Sequence, residues 1–239
     1  MPPRFFCETP LATGQCIELP DTLAHHALRV LRLSDGDAIV LFDGRGGQHP
    51  AVLRIEGRRA LAALGAHQAV ETELRGRLIL IQGLASGDKM DWVVEKAVEL
   101  GVTELHPVAA ERSVLRLSGP RLDKRLAHWR AIGRAAAEQC GRNRLMTIRP
   151  PAPLAACLES VHGAALFCHP EGRLDFRAAL ADVHDSLTLM VGPEGGWAPE
   201  ELALAQRRGL QGVRFGARVL RTETAGLALA SAATALLDW

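Results

Sequence analysis

The sequence predicts an α/β protein, with a parallel sheet covered by helices and a smaller β-rich domain ahead of it. Two patterns and one bulk property carry this expectation. From Leu78 onward, apolar strand-like runs alternate with helix-like segments, the arrangement of a parallel sheet covered on both faces. Before Ala69, short runs rich in Ile, Val and Leu instead gather around one helical stretch. The 239 residues are 48% apolar and 23% charged, enough to bury a core and unlike a disordered chain.

In the amino-terminal part, "QCIEL", "DAIVLFD" and "HPAVLRI" read as strands. The glycines of "DGRGG", Asp43 to Gly47, suit a hairpin turn between the last two. "DTLAHHALRVLRL" reads as the inserted helix, with Asp21 as its N-cap and Leu23, Ala27, Val30 and Leu31 near helical spacing. "AVETELRGR", Ala69 to Arg77, has few apolar anchors and is the expected linker, giving domains at 1–72 and 73–239.

The second part opens with the apolar strand "LILIQG". In the helix "DKMDWVVEKAVELG", Met90, Val93, Val94, Ala97 and Val98 share a face and Gly101 is placed to end it. "VTELHPVAA" is the next strand, and "RLDKRLAHWRAIGRAAAEQCG" a long basic helix burying Leu122, Leu126 and Trp129. "APLAACLESV", "AALFCH", "LTLMVG", "PEELALAQRRG" and "GVRFG" continue the alternation. The terminal helix is apolar nearly all round, with Leu227, Leu229, Leu236 and Leu237 among alanines, so more than one of its faces is expected to be buried.

Net charge is only +1, which excludes a global field for gripping nucleic acid. Between Arg112 and Arg149, however, ten basic residues face two acidic ones. A solvated helix face and a phosphate-facing patch both fit that segment. The five cysteines are odd in number, widely spaced and without a C-x-x-C pair, so neither a disulfide framework nor a metal site is indicated. "MPPRFFCETP" has no apolar signal core, and the longest uncharged run, Thr224 to Leu237, is 14 residues, too short to span a membrane. A reducing, cytoplasmic setting is expected.

Two glycine-bearing passages stand out near the carboxyl terminus. "GPEGGW", Gly192 to Trp197, leaves a buried strand where α/β sheets bind ligands, and glycines there let backbone approach closely. Neither the P-loop spacing nor the dinucleotide fingerprint is present, and "GLASGDKM", Gly83 to Met90, fails the former. "FGARVLRTETAGLALA", Phe215 to Ala230, places Arg218, Arg221 and Glu223 just before an uncharged helix. An Arg–Glu pair capping that helix and a pocket shared by the two loops are the competing readings.

With "EKAVELGV", "EQCGRNR" and "ALRVLRLSDGD", these passages resemble the small-subunit ribosomal RNA uracil-N3 methyltransferases of the SPOUT class, over the whole chain. The resemblance implies a PUA-like RNA-binding domain followed by a trefoil-knotted SPOUT methyltransferase domain. It further implies S-adenosylmethionine as cofactor, a homodimer seamed near the terminal helix, and small-subunit ribosomal RNA, in the assembled subunit, as substrate. A non-catalytic RNA-binding protein and a SPOUT enzyme acting on another RNA position are the alternatives.

By the same resemblance, Gly192, Pro193, Glu194, Gly195 and Gly196 form one wall of the cofactor site. Phe215, Gly216, Val219 and Leu220 form a second, Leu166, Phe167 and His169 a third, and Thr224 lies beside them. Thr222 and Thr224 also read as helix caps. Arg221 is the expected catalytic residue, stabilising a uracil oxyanion or holding a phosphate. Glu223 orients it or accepts a proton, with capping as its other reading. Arg4, Arg29, Arg32, Arg112, Arg142 and Arg144 are the RNA-contact candidates. Two departures from the family pattern are Ala198, a poor cap where Ser or Thr is usual, and Phe215, where an aliphatic residue is common.

Overall fold

The computed structural model describes residues 2–239. They cluster into two compact units: one ends at Glu73 and takes in Ala137–Leu145, and the other comprises Leu74–Ala136 and Met146–Trp239.

In the first unit, β1 (Arg4–Phe6), β2 (Cys16–Glu18), β3 (Ala38–Phe42), β4 (His49–Glu56) and β5 (Arg59–Leu64) form a sheet in the order β1-β3-β4-β5-β2. β1 runs parallel to β3, and the other pairs are antiparallel. Side chains alternate across the sheet: Ala51 and Leu53 are buried while Val52 and Arg54 face solvent. The buried face packs Phe5, Leu41, Leu53 and Ala62 against Leu23 and Ala27 of the helical segment. β1 and β5 were not legible in the sequence. "RFF" is too short to show a period, and "RALAAL" is built on alanine, a poor strand former.

α1 (Asp21–His25) begins one residue earlier than expected. Pro20 occupies the cap position, and its carbonyl accepts the N–H groups of Leu23 and Ala24. Asp21 is therefore the first helical residue, where its charge suits the helix dipole without capping. The chain then widens into a π turn at His26–Val30, and Arg32 takes a left-handed φ of +56°.

The second unit contains β6 (Arg77–Gly83), α2 (Lys89–Glu99), β7 (Glu104–Val108), α3 (Gly119–Cys140), β8 (Thr147–Ile148), α4 (Leu154–Glu159), β9 (Ala164–Cys168), β10 (Leu174–Asp175), α5 (Phe176–Ala179), β11 (Ser186–Val191), α6 (Pro199–Arg207), β12 (Gln211–Arg214) and α7 (Thr222–Leu237), with the end of α3 belonging to the first unit. All seven strands are parallel, in the order β10-β12-β9-β11-β6-β7-β8.

Successive residues of β6 point to opposite faces. Leu80 meets α7 at Gly226, while Ile81 joins a cluster with Leu154 of α4 and Ala205 of α6. Helices thus cover both faces, as the unbroken apolar run of β6 requires. α2 buries Met90, Val93, Val94, Ala97 and Val98, and ends at Gly101 with φ +81°. On α3, Leu126 and Trp129 are buried, Leu122 is half-buried, and the Trp129 indole donates to Asp91 Oδ1 at 3.0 Å. α7 buries Ala225, Gly226, Leu229, Ala230 and Ala233 but leaves Leu236 exposed. Among the described residues, no helix is long and apolar enough to cross a membrane.

Candidate active site

β9, β11 and β12 lie side by side and parallel, so their carboxyl ends open on one edge of the sheet. The loops leaving them enclose a cavity of about 870 Å³. That is the place where open α/β sheets bind ligands, and the size of a small-molecule site.

"GPEGGW" forms the first wall, and its glycines serve two ends. A side chain on Gly192 would meet the Trp197 indole nitrogen at 3.1 Å, and one on Gly195 would meet the Arg112 carbonyl at 3.0 Å. Gly196 is needed for its φ of +69°. From β6, Gly83 lies so close that a Cβ there would fall on the Pro193 backbone nitrogen. The Gly192 carbonyl accepts the Thr222 hydroxyl at 2.5 Å, and that hydroxyl accepts from Gln82 Nε2 at 2.9 Å.

Glu194 anchors the same loop to residues 86–89. One of its oxygens accepts the Ser86 N–H at 3.0 Å, the Ser86 hydroxyl at 2.8 Å and Lys89 Nζ at 2.8 Å. Burial works to raise this carboxyl, but the bonds from Lys89 and Ser86 prevail and hold it at about 2. Just beyond, Ala198 offers no capping oxygen. The Glu201 carboxylate supplies only the reciprocal half of a capping box, accepting the N–H of Ala198 itself at 2.9 Å, and it also accepts the Glu111 N–H at 3.0 Å.

The second wall runs from Phe215 to Arg221. Gly216 turns it with φ +71°, and the Phe215 ring is held edge-on by Phe176, centroids 5.4 Å apart. Arg218, Val219 and Arg221 are exposed, Val219 at 80%. The expected Arg–Glu cap does not form: among the described residues no ion pair joins Glu223 to Arg218 or Arg221. Arg221 precedes α7 in extended backbone with its side chain exposed, whereas Glu223 Oε2 is buried without a partner.

Of the residues expected at the cofactor site, His169, Gly192 to Gly196, Phe215, Gly216, Val219 and Leu220 line the cavity, and so does Arg221. Leu166, Phe167, Glu223 and Thr224 are not among its lining residues. Leu166 is buried in register between Leu189 and Gln211, and the Phe167 ring packs over Gly212. Thr224 is exposed in the first turn of α7. Neither Thr222 nor Thr224 caps that helix; the Thr222 hydroxyl is spent on Gly192. Sequence reasoning missed Trp197 and Thr222 as lining residues, and Ser86 and Lys89 as supports. Trp197 directly follows the glycines, and its buried indole N–H has no acceptor. Ser86 and Lys89 lie in "GLASGDKM", whose spacing bears no mark of its partner Glu194, 105 residues or more away along the chain.

The arginines expected at RNA divide into two groups. Arg29, Arg32, Arg112 and Arg144 are exposed. Arg142 is 4% exposed and forks onto Glu73, with N–O distances of 2.9 and 2.6 Å. Arg4 is half-buried, bonded to Gln48 and, at 2.6 Å, to Asn143 Oδ1, and burial pushes its guanidinium down. Both are turned inward to hold the loop after α3.

Residues 72–234 match the family model of the RNA methyltransferase domain, and residues 19–63 match that of the RNA methyltransferase PUA domain. The ribosomal RNA small subunit methyltransferase E of Mycobacterium bovis is 33% identical over 230 residues, covering 92% of this chain and 87% of the relative. Its counterpart from Bacillus subtilis is 29% identical, covering 96% and 94%. The crystal structure of ribosomal RNA small subunit methyltransferase E from Neisseria gonorrhoeae, bound to S-adenosyl methionine, is similar with a TM-score of 0.89 and 37% identity over 99% of this chain and 98% of that one. A Legionella pneumophila protein described as a methyltransferase, solved with SAM, has a TM-score of 0.92 and 29% identity over 98% of both chains. The chain belongs to the ribosomal RNA small subunit methyltransferase E family.

Proposed function

We propose that this chain is an S-adenosylmethionine-dependent methyltransferase acting on N3 of a specific uridine in 16S small-subunit ribosomal RNA. The cavity between the two glycine-bearing loops carries the reading, because relatives of the same fold are described with S-adenosylmethionine bound. Its volume suits such a ligand, and its walls carry glycines at Gly192 and Gly195, where a Cβ would crowd Trp197 and Arg112, and at Gly196 and Gly216, which take positive φ. When bound, S-adenosylmethionine supplies an electrophilic methyl group on a sulfonium.

The chain's own part is positioning and charge. Gly192 to Gly196, Phe215, Gly216, Val219, Leu220 and His169 hold the cofactor, and the Thr222–Gly192 bond fixes the two walls to one another. Leu166 and Phe167 support this site from within the sheet, and Thr224 from the start of α7. Uracil N3 must lose its imide proton before it can attack. The exposed Arg221 guanidinium at the cavity favours the resulting anion. Glu223, behind the cavity lining and with one buried oxygen unpartnered, orients Arg221 or accepts the proton.

Residues 1–72 serve as the RNA-binding domain and 73–239 as the methyltransferase domain, whose carboxyl-terminal loops thread a trefoil knot. Arg29, Arg32, Arg112 and Arg144 face the RNA, and the inward Arg4 and Arg142 shape the surface around them. The working form is a cytoplasmic homodimer acting on the assembled small subunit, with exposed Leu236 of α7 at the seam. Deleting the gene, mapping methylated bases in small-subunit RNA by mass spectrometry and complementing tests the proposal. A single N3-methyluridine should vanish and return with wild type but not with Arg221→Ala. Small-subunit RNA unchanged by the deletion overturns it.

A further inference from the structure

The turn between β3 and β4 meets the segment after α3 within the first unit, and the meeting sets two arginines side by side. Arg45 and Arg144 are partners in an antiparallel bridge. Gly46 N–H donates to the Asn143 carbonyl at 3.2 Å, and Leu145 N–H to that of Gly44 at 3.3 Å. Both arginines are exposed. Like charges directly opposite in a bridge weaken it, so this pairing needs support from elsewhere.

The support is extensive. Asn143 is fully buried, accepting from Arg4 and donating to the Val70 carbonyl, each at 2.6 Å. Arg142 is locked onto Glu73. On the other side, Gly44, Gly46 and Gly47 take φ of +81°, +116° and +68°, a path that other residues resist. A Cβ on Gly46 would lie 2.7 Å from an Arg144 guanidinium nitrogen and closer still to the Glu71 carboxylate, so a larger residue there would push both side-chain ends aside. Arg144 has Glu71 at 3.6 Å, whereas Arg45 makes no ion pair among the described residues. Buried bonds, and glycines in a path that other residues resist, together hold two like charges side by side and open to solvent, and an anion between the two would relieve their repulsion.

We propose that Arg45 and Arg144 form a clamp for the phosphodiester backbone of RNA. This rests on the RNA-substrate reading above and adds a binding site to it. Guanidinium groups bind phosphate bidentately, so neighbouring arginines suit two consecutive phosphates. Such a clamp contributes affinity and register without reading bases.

The test uses the full chain, a fluorescently labelled 20-nucleotide oligouridylate and anisotropy titrations between 50 and 300 mM KCl. Each phosphate contact on single-stranded RNA contributes about 0.7 to the slope of log affinity against log salt. Arg45→Gln and Arg144→Gln should each lower the slope by about that much, and the double variant by about twice it. The Arg45→Lys/Arg144→Lys pair keeps the charges and should keep the slope. Thermal melts of the glutamine variants should fall no lower than wild type, since both side chains face solvent and removing either charge relieves the repulsion. A double glutamine variant with wild-type slope and affinity overturns the clamp. S-adenosylmethionine uptake, measured separately by calorimetry, distinguishes the two readings. Uptake together with an unaltered salt slope sinks the clamp alone. Clamp-dependent RNA binding without any uptake sinks the methyltransferase reading alone.

Discussion

The Thr222 hydroxyl donates to the Gly192 carbonyl at 2.5 Å, joining the first residue of the last helix to the loop that leaves β11. Gln82 Nε2 donates to the same hydroxyl at 2.9 Å, so three parts of the chain meet at one buried oxygen. Thr222→Val keeps the shape and removes the hydroxyl, leaving the Gly192 carbonyl unpaired and the Gln82 amide with only its 3.1 Å bond to the Gly83 carbonyl. An orphaned buried polar group costs about 1–3 kcal/mol. We expect urea melts to show a loss in that range, and S-adenosylmethionine to bind at least tenfold more weakly by calorimetry. Thr222→Ser, which retains the oxygen, should recover both. Wild-type affinity in the valine variant would mean the two walls hold their places without this tie.

Glu194 gives a pH dependence whose sign follows from its bonds. Its carboxyl lies at about 2 in the folded chain, against 4.5 for an ordinary glutamate. A carboxyl lowered by folding stabilises the loop fully above its unfolded value, and this contribution is lost as pH falls toward the folded value. S-adenosylmethionine affinity should therefore stay level from pH 8 to 5 and weaken only in more acid solution. Glu194→Gln should bind less tightly at neutral pH and lose the acid-side decline. Lys89→Met, which removes one of the three donors, should weaken binding as well. Calorimetric titrations across pH check this, and a decline that persists in Glu194→Gln would assign it to another group.

The alternating apolar runs made the parallel sheet legible, because a strand such as "LILIQG" must be covered on both faces. The two glycine passages were legible as a pocket because both follow such strands. What the sequence hid is the order β12-β9-β11-β6, which brings those loops together through pairings distant along the chain. Thr222 illustrates the loss. At the head of a helix, a threonine reads as a local cap, and only the crossover puts Gly192 within its reach. Arg142 shows the same in the first unit: an arginine in a basic run reads as surface until Glu73 is found beside it. The two-residue β8 and β10 carry too few side chains to show any period.

Gly83 and Gly87 separate close packing from backbone freedom. A Cβ on Gly83 would strike the Pro193 backbone, whereas one on Gly87 would meet nothing within 4 Å, although its φ is +62°. Gly87→Ala should cost about 1–2 kcal/mol, the strain of a left-handed residue, and leave cofactor binding intact. Gly83→Ala must push the "GPEGGW" loop aside. It should cost a comparable 1–3 kcal/mol and also abolish measurable S-adenosylmethionine uptake. Equal binding by the two variants would show that loop position does not govern the site.

Arg221 lines the cavity at the start of α7, exposed and without an ion pair among the described residues, which leaves its charge available to a substrate. If that charge favours the uracil anion, Arg221→Ala should lower kcat by about 10²–10³-fold, the usual cost of removing a group that stabilises developing charge. Affinity for S-adenosylmethionine should barely move, since backbone groups form most of its expected contacts. Arg221→Lys keeps a positive charge but loses the planar fork, so an intermediate rate is expected. The decisive readout is the pH–rate profile. Raising the pH removes the imide proton without help from the enzyme, so Arg221→Ala should regain activity steeply in alkaline solution while wild type levels off. An arginine that merely braced the loop would give two parallel profiles, and that outcome would remove Arg221 from the chemical step.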